Sequence, residues 1–330
     1  MMMRNLRVGV ARGGPSSEYE VSLKTGGEIL RHLPEKYKGV DLLFDKKSNW
    51  HSWGYPKKPH QIFAPERGGV DIVFNALHGE FGEDGRAQQL FESFNIPYTG
   101  SQIAPSAFAM KKHLARDMFL RHGLKIPRGF VLKKDENEKW DAEYFAGRVF
   151  NSMPPLWVVK PGAAGSSVGV SICKSFSELV LGIGNAGKYG NVVLVEEFIK
   201  GVEATCGILE DFRGEREYTL PIIEIVPTKE NFFGYDSKYS GSTREICPAG
   251  FERKVKREIE NMAKEAHRAL GCRHYSRADF IVSDRGVFLL EVNTLPGLTS
   301  ESLFPKAASA AGLEFPALLD HIISLALNRH

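Results

Sequence analysis

Between residues 277 and 303, apolar and polar positions alternate in two arms that flank the turn Asp284-Arg285-Gly286. Alternation with a period of two predicts a β-hairpin with one buried face and one polar face. Glycine ends the turn, at the position where a three-residue hairpin loop needs a left-handed residue. This loop would place Ser283 opposite Val287, and that pairing fixes the register of both arms.

The polar face of this hairpin brings together two carboxylates, an amide and a guanidinium. The register places Asp279 opposite Glu291 and Arg277 opposite Asn293. Buried carboxylates need partners, because unpaired buried charge is costly. Mg²⁺ is a suitable partner, since it is bound by one or two carboxylates together with substrate phosphates. The alternative is a pair of salt bridges on a solvated face, but Asn293 offers a ligand oxygen and no charge.

Two apolar runs that lead into glycine-rich loops predict a parallel α/β unit at the N-terminus. Leu6–Ala11 precedes Gly13-Gly14-Pro15 and a helix for which residues 17–20, SEYE, form a predicted capping box. Glu18 then lies at the mouth of the sheet, where ligands usually bind, unless it only favours the helix dipole. Residues 70–76 precede the loop LHGEFGEDG, whose His78 is either a functional or a structural histidine.

A helix is predicted from Ser106 to His122, with Met110, Leu114 and Met118 on its apolar stripe. Lys112 lies off this stripe, so it is either solvated or directed at a phosphate. Helices are also predicted over residues 252–270 and 315–327.

The strand Trp157–Lys160 leads into a loop of glycines and serines, PGAAGSSVGV. Backbone N–H groups of such a loop can cover a phosphate chain, and Lys160 would add a point charge. A flexible hairpin tip is the alternative. Glu196 and Glu203 end or follow the next apolar strand, where they could accept an amino group or ribose hydroxyls, or be surface residues. Residues 232–241 combine aromatic residues with glycine and predict an ordered lid.

Composition excludes several classes of protein. The chain has 330 residues, of which 42% are hydrophobic and 25% charged, as in ordinary globular proteins. A net charge of +3 gives no support to a nucleic-acid partner. The four cysteines lack CxxC spacing, which argues against zinc and disulfide frameworks. Neither a signal peptide nor an apolar run of about 18 residues is present, so we expect a cytoplasmic protein without a membrane partner.

Seven segments, in order, resemble the D-alanine–D-alanine ligases of the ATP-grasp superfamily. They are GGPSSEYEVSL, ALHGEFGEDG, PYTGS, VVKPGAAGSSVGV, the lid segment KYSG, SRADF and LLEVNTLPGLTSESL. The resemblance implies an α/β protein with α+β character in its C-terminal part and an ATP-grasp fold of three domains. These are an N-terminal doubly wound domain (1–102), a central domain (103–196) and a C-terminal domain (197–330). It also implies that ATP and Mg²⁺ (or Mn²⁺) are used to join two D-alanines through an acyl phosphate, in a homodimer.

The resemblance also implies roles for particular residues. Phosphate would be bound by Lys112 and Lys160, adenine and ribose by Glu196 and Glu203, and the metal by Asp279, Glu291 and Asn293. Arg277 and the Gly297 N–H would stabilise an oxyanion, and Glu18, with His78 nearby, would hold the first ammonium group. Lys238, Ser302 and Leu303 would hold the second substrate's carboxylate, and Ser166 and Tyr239 would link Glu18 to the lid.

Three other functions share parts of this pattern. A carboxylate–amine ligase for other substrates would share the ATP residues but not Glu18, Tyr239 and Ser302. A D-alanine–D-lactate or D-alanine–D-serine ligase would differ in the lid, where Lys238-Tyr239 favours an amine acceptor. A nucleotide sensor without activity would be expected to lack metal ligands or Arg277. The sequence departs from its relatives at Ala163-Ala164, where polar or charged residues are frequent in the phosphate loop.

Overall fold

The computed structural model describes residues 6–135, 138–163, 165, 168–227 and 243–328. The predicted lid, with Lys238 and Tyr239, lies outside the described residues, as does Ser166 of the glycine–serine loop. Within the described chain three sheets and their helices form the mixed α/β architecture expected from the sequence.

The first sheet has the order β4-β3-β2-β1-β5, with β1 parallel to both β2 and β5. Its strands are β1 (Leu6–Gly13), β2 (Tyr37–Phe44), β3 (Trp50–Ser52), β4 (Tyr55–Lys57) and β5 (Ile72–Asn75). Its helices are α1 (Tyr19–His32), α2 (Pro59–Ile62) and α3 (Arg86–Ser93). Because the strands are parallel, the loops that follow β1 and β5 emerge at the same edge of the sheet.

The second sheet is antiparallel, in the order β6-β9-β7-β8, with two helices that pack against each other. These elements are β6 (Gly129–Lys133), α6 (Ala142–Phe150), β7 (Trp157–Pro161), β8 (Ser171–Cys173), α7 (Phe176–Ala186) and β9 (Val192–Glu197). Ser175 caps α7 by accepting a hydrogen bond from the Glu178 N–H. Lys160 therefore lies near the end of β7, immediately before the glycine–serine loop.

The third sheet has the order β13-β12-β10-β14-β15, and β11 pairs with β10. Its strands are β10 (Val202–Phe212), β11 (Glu215–Thr219), β12 (Ile223–Pro227), β13 (Thr243–Ile246), β14 (Tyr275–Ser283) and β15 (Gly286–Asn293). The helix α8 (Arg253–Leu270) confirms the predicted helix over residues 252–270. At the C-terminal end, α9 (Leu303–Ala310) and α10 (Phe315–Asn328) follow.

The helix predicted from Ser106 to His122 is wrong as a single element. The structure has α4 (Ile103–Met110) and α5 (Lys112–Arg121), separated at Lys111, whose φ of −89° and ψ of 89° are not helical. The break lets the Lys112 N–H donate to the Gly162 carbonyl oxygen at 2.8 Å. The predicted stripe also differs, because Ala115 and Phe119 are the buried residues of α5.

The hydrophobic cores do not follow the sheets one by one. One core joins residues of the first sheet, such as Val8 and Ile72, to Phe304 of α9 and Ile322 of α10. The second sheet has a separate core built only from residues 132–195. Among the described residues no single helix is long and apolar enough to cross a membrane. In that part of the chain, α9 and α10 pass the same test as a pair, across a bend of 102°.

Candidate functional site

The hairpin of β14 and β15 brings the predicted metal ligands to one face. Asp279 lies opposite Glu291 and Arg277 lies opposite Asn293, as the alternation predicted. The end of the hairpin was predicted wrongly, because Ser283 pairs with Gly286. Gly286 does have the left-handed conformation expected of it, with φ of +100°.

An extra residue in β15 reconciles these two results. Phe280 pairs with Leu289 and Asp279 with Glu291, so Leu290 is left over and the ladder is irregular between Asp279 and Phe280. A one-residue shift would turn every side chain of the strand to the other face. The bulge therefore returns Glu291 to the same face as Asp279.

Asp279 accepts three hydrogen bonds on this face. Its Oδ1 accepts from Arg277 Nε at 2.9 Å and from Thr205 Oγ1 at 2.7 Å, and its Oδ2 accepts from the second nitrogen of the Arg277 fork at 2.9 Å. Burial opposes the charge of Arg277, but the combined attraction of Asp279, Glu291 and Glu203 raises its pKa. Arg277 is therefore a fixed cation at the centre of the site.

Lys112 reaches the same face from the first turn of α5. Its Nζ lies 2.7 Å from Glu291 Oε2, and its side chain is 18% exposed. Burial opposes the charge here also, but Glu291, Glu196 and Glu83 together raise the pKa of Lys112. Lys112 is thus an ammonium ion in contact with a predicted metal ligand.

Lys160 and Glu196, both predicted to bind ATP, contact each other at the edge of the second sheet. The Lys160 Nζ lies 2.5 Å from Glu196 Oε2, and an Arg116 nitrogen lies 2.9 Å from Glu196 Oε1. All three side chains are buried or nearly so. Sequence reasoning missed Arg116, although its position four residues after Lys112 places both on one face of α5.

The loops of the first sheet form the opposite wall. The capping box predicted over residues 17–20 is wrong: Ser16 accepts from the Glu18 N–H through Oγ and donates to the His78 carbonyl oxygen at 2.7 Å. The His78 Nε2 lies 3.0 Å from Thr25 Oγ1. Burial, helped by the charge of Arg277, lowers the pKa of His78 to about 4, so the ring is neutral at neutral pH.

Two glycines allow backbone to approach the Glu18 carboxylate. A Cβ on Gly79 would lie 2.7 Å from Glu18 Oε2, and one on Gly165 would lie 2.8 Å from the same atom. Gly79 also has φ of +73°, which few other residues adopt. Since Gly165 belongs to the glycine–serine loop, Glu18 is the place where loops of the first and second sheets meet.

One cavity of about 1010 Å³ collects most of the predicted residues. Those that line it are Glu18, His78, Lys112, Glu203, Arg277, Asp279, Glu291, Asn293, Gly297, Ser302 and Leu303. Lys160 and Glu196 line a small adjoining space that Lys112 and Glu291 also border. Ser302 Oγ accepts from the Thr299 N–H at 3.2 Å and lies close to Gly297, which fixes this end of the cavity.

Glu83 is the second residue that sequence reasoning missed. It lines the cavity, and its Oε2 accepts from the Gly79 N–H at 2.7 Å. Burial and the nearby carboxylate of Glu18 raise the pKa of Glu83 to about 8. Glu83 lies in the loop LHGEFGEDG that drew attention to His78, and the only signal for it is the density of acids there.

We expect Glu83→Gln to remove a pH dependence of stability. The folded pKa is raised, so between about pH 4.5 and 8 only the unfolded chain has lost the proton, and stability falls as pH rises. The slope is at most about 1.4 kcal/mol per pH unit. Urea unfolding at pH 5 and pH 7.5 should show the wild type losing up to about 3 kcal/mol relative to the variant.

Glu80→Gln is the control for this measurement, because Glu80 is an exposed acid of the same loop. It should leave the wild-type pH dependence in place. An identical pH dependence in the wild type and in Glu83→Gln would show that the Glu83 carboxyl is ionised in the folded protein.

Comparison with known proteins now assigns the chain to a family. The family model described as D-ala D-ala ligase C-terminus matches residues 118–324, and the N-terminus model matches residues 56–101. The chain is 38% identical over 329 residues to a D-alanine–D-alanine ligase from Syntrophobacter fumaroxidans, covering 99% of each chain. It belongs to the D-alanine–D-alanine ligase family.

Solved structures agree with this assignment. The D-alanine–D-alanine ligase from Bacillus anthracis complexed with ATP has a TM-score of 0.78 and 32% identity, with 98% of each chain covered. The VanG D-Ala:D-Ser ligase from Enterococcus faecalis has a TM-score of 0.82 and 27% identity, with 98% of this chain and 100% of that chain covered. The predicted ATP-grasp fold is confirmed.

The residues of the hairpin face fit a hard divalent cation. Asp279, Glu291 and Asn293 offer only oxygen ligands, and substrate phosphates usually complete such a site. Among the described residues no group of three or more His, Cys, Asp or Glu side chains could hold a metal. Two carboxylates and one amide are fewer ligands than such a cation takes, so phosphate oxygens or waters would have to complete the site.

Proposed function

We propose that this ligase joins two D-alanines to D-alanyl-D-alanine for peptidoglycan synthesis, in the cytoplasm and with hydrolysis of ATP to ADP and phosphate. The cavity supports this proposal most directly. It holds a fixed cation, Arg277, beside paired carboxylates on one wall, and an acid, Glu18, beside a neutral histidine on the other. A zwitterionic amino acid with a reactive carboxylate needs both walls.

The reaction requires two transfers. A carboxylate oxygen of the first D-alanine attacks the γ-phosphorus of ATP, and ADP leaves, which gives an acyl phosphate. The deprotonated amine of the second D-alanine attacks the acyl carbon, and phosphate leaves from the tetrahedral intermediate. The charges to be stabilised are thus those of the phosphates and then of an oxyanion.

We assign the residues of the cavity to these tasks. Lys112 and Lys160 would bind phosphate oxygens, and Glu196 and Glu203 would hold adenine and ribose. Bound at Asp279, Glu291 and Asn293, Mg²⁺ would neutralise charge that develops on the phosphates. Arg277 and the Gly297 N–H would stabilise the oxyanion. Lys238, Ser302 and Leu303 would hold the acceptor's carboxylate, and Ser166 with Tyr239 would connect Glu18 to the lid.

The neutral ring of His78 supports the role of Glu18. Burial keeps the pKa of His78 near 4, so the ring adds no positive charge to the wall of the cavity where the substrate ammonium would bind. His78 would then position Glu18 and shape the pocket without adding charge.

The acceptor is the least constrained part of the proposal. A D-Ala:D-Ser ligase is among the structural relatives, so the shared fold permits another acceptor. Lys238-Tyr239 in the sequence favours an amine acceptor. By the family resemblance we also propose a homodimer, which analytical sedimentation would test. The same resemblance gives domains over residues 1–102, 103–196 and 197–330.

Phosphate release from ATP and Mg²⁺ tests the central proposal. D-Alanine should support release and give the dipeptide, whereas L-alanine should not. Competition with D-serine and D-lactate then identifies the acceptor from the products. Absence of phosphate release with D-alanine would contradict the proposal. If the main product of the competition joined D-alanine to D-serine or D-lactate, that compound would be the acceptor.

A further inference from the structure

Both lysines assigned to phosphate are paired with carboxylates that are assigned to other ligand groups. Lys112 contacts Glu291, which is assigned to the metal, at 2.7 Å. Lys160 contacts Glu196, which is assigned to adenine, at 2.5 Å. The lysines thus occupy positions next to carboxylates that the ligands would need.

The contact of Lys112 has the larger consequence, because its competitor is a cation. A divalent cation and an ammonium group on one carboxylate repel each other at short range. The same wall already holds the guanidinium of Arg277 on Asp279. Metal alone would therefore enter a site whose two carboxylates each carry a positive partner.

A triphosphate reverses this balance. Its negative charges attract both the metal and the ammonium of Lys112, so Lys112 can leave Glu291 for a phosphate oxygen while the metal takes its place. The backbone of Lys112 is suited to such an exchange, because its N–H is fixed on the Gly162 carbonyl oxygen at the glycine–serine loop. Only the side chain would have to move.

We propose that Lys112 has a second role in the ligand-free enzyme: its ammonium occupies the cation position on Glu291 and makes metal binding dependent on bound nucleotide. This inference rests on the metal assignment in the proposed function. Metal without nucleotide is held weakly, and the productive complex forms when metal and triphosphate arrive together. The ammonium of Lys112 weakens metal binding before nucleotide binds. Once it has moved to a phosphate oxygen, it helps to hold the nucleotide that binds the metal.

Direct titration with Mn²⁺, followed by the electron paramagnetic resonance of the free ion, tests this role without using activity. Without nucleotide, Lys112→Met should bind Mn²⁺ about fivefold more tightly than the wild type, a factor that corresponds to about 1 kcal/mol. With a non-hydrolysable ATP analogue the order should reverse, because the variant has lost a phosphate contact.

Two further variants isolate the position and the charge of the ammonium. Lys112→Arg keeps the positive charge and should behave as the wild type with Mn²⁺ alone. Lys111→Met removes the charge of an exposed neighbour and should also leave Mn²⁺ binding unchanged. Unchanged or weaker Mn²⁺ binding in Lys112→Met, or equal tightening in Lys111→Met, would overturn the proposal.

Glu291→Gln separates this inference from the proposal beneath it. If the metal assignment is right, this variant should bind Mn²⁺ without nucleotide much more weakly than the wild type does. Wild-type Mn²⁺ binding in Glu291→Gln would show that the metal assignment itself has failed. Loss of binding in Glu291→Gln without tightening in Lys112→Met would overturn only the second role of Lys112.

Discussion

Glu291→Gln should lower the turnover number by about 10²–10³-fold, or about 2.7–4 kcal/mol in the barrier, and leave the fold intact. A neutral amide no longer balances a divalent cation, and it also weakens the hold on Lys112, whose Nζ lies 2.7 Å away. The change keeps the size of a side chain that is 39% exposed, so packing should be little affected. Steady-state phosphate release at saturating Mg²⁺ measures the effect.

Glu301→Gln is the matched control, because Glu301 lies at the rim of the same cavity and its side chain is 87% exposed. It should retain nearly full turnover. Circular dichroism and a thermal midpoint would establish that both variants are folded. Near-normal turnover of Glu291→Gln at saturating Mg²⁺ would contradict its assignment as a metal ligand.

Arg277→Lys should also reduce turnover by about 10²–10³-fold, although the positive charge is kept. Arginine presents a rigid fork, and here two of its nitrogens donate to Asp279. A lysine ammonium cannot hold both carboxylate oxygens in this geometry and at the same time direct a donor at the oxyanion. We expect a small change in the KM for ATP and a large change in kcat.

Arg285→Lys controls for the same substitution in the same hairpin. Arg285 is an exposed residue at the tip, where it pairs with Glu197 at 2.9 Å. The turnover of Arg285→Lys should stay close to that of the wild type. If Arg277→Lys stayed within a few-fold of the wild type in kcat, a positive charge alone would suffice and no fork would be required for the oxyanion.

The hairpin shows how far alternation can predict a site. Asp279 and Glu291 were paired correctly from the period of two, because a buried apolar face fixes which side chains point to the cavity. The pairing at the turn was one residue out. The extra residue at Leu290 offsets this error, so the pairing beyond the bulge is the predicted one. A run of apolar residues does not indicate where an extra residue is inserted.

Contacts between distant segments account for the residues that were missed. Arg116 contacts Glu196 only because α5 packs near β9. Glu83 is affected by the Glu18 carboxylate only because the loop after β5 lies near Glu18. The break at Lys111 has the same origin, since the Lys112 N–H donates to the carbonyl oxygen of Gly162 in the glycine–serine loop. Local helix propensity could not predict a bond that is made 50 residues away.

The shared core bears on which parts of the site could move. Val8 and Ile72 of the first sheet pack in one core with Phe304 and Ile322, while the second sheet has a core of its own. Glu18 and Arg277 therefore belong to elements that share a core, whereas Lys160 belongs to a sheet with a separate core. The selection of D-alanine would depend on the elements of the shared core. We expect mutations in the second sheet to change the affinity for ATP without altering the choice of D-alanine.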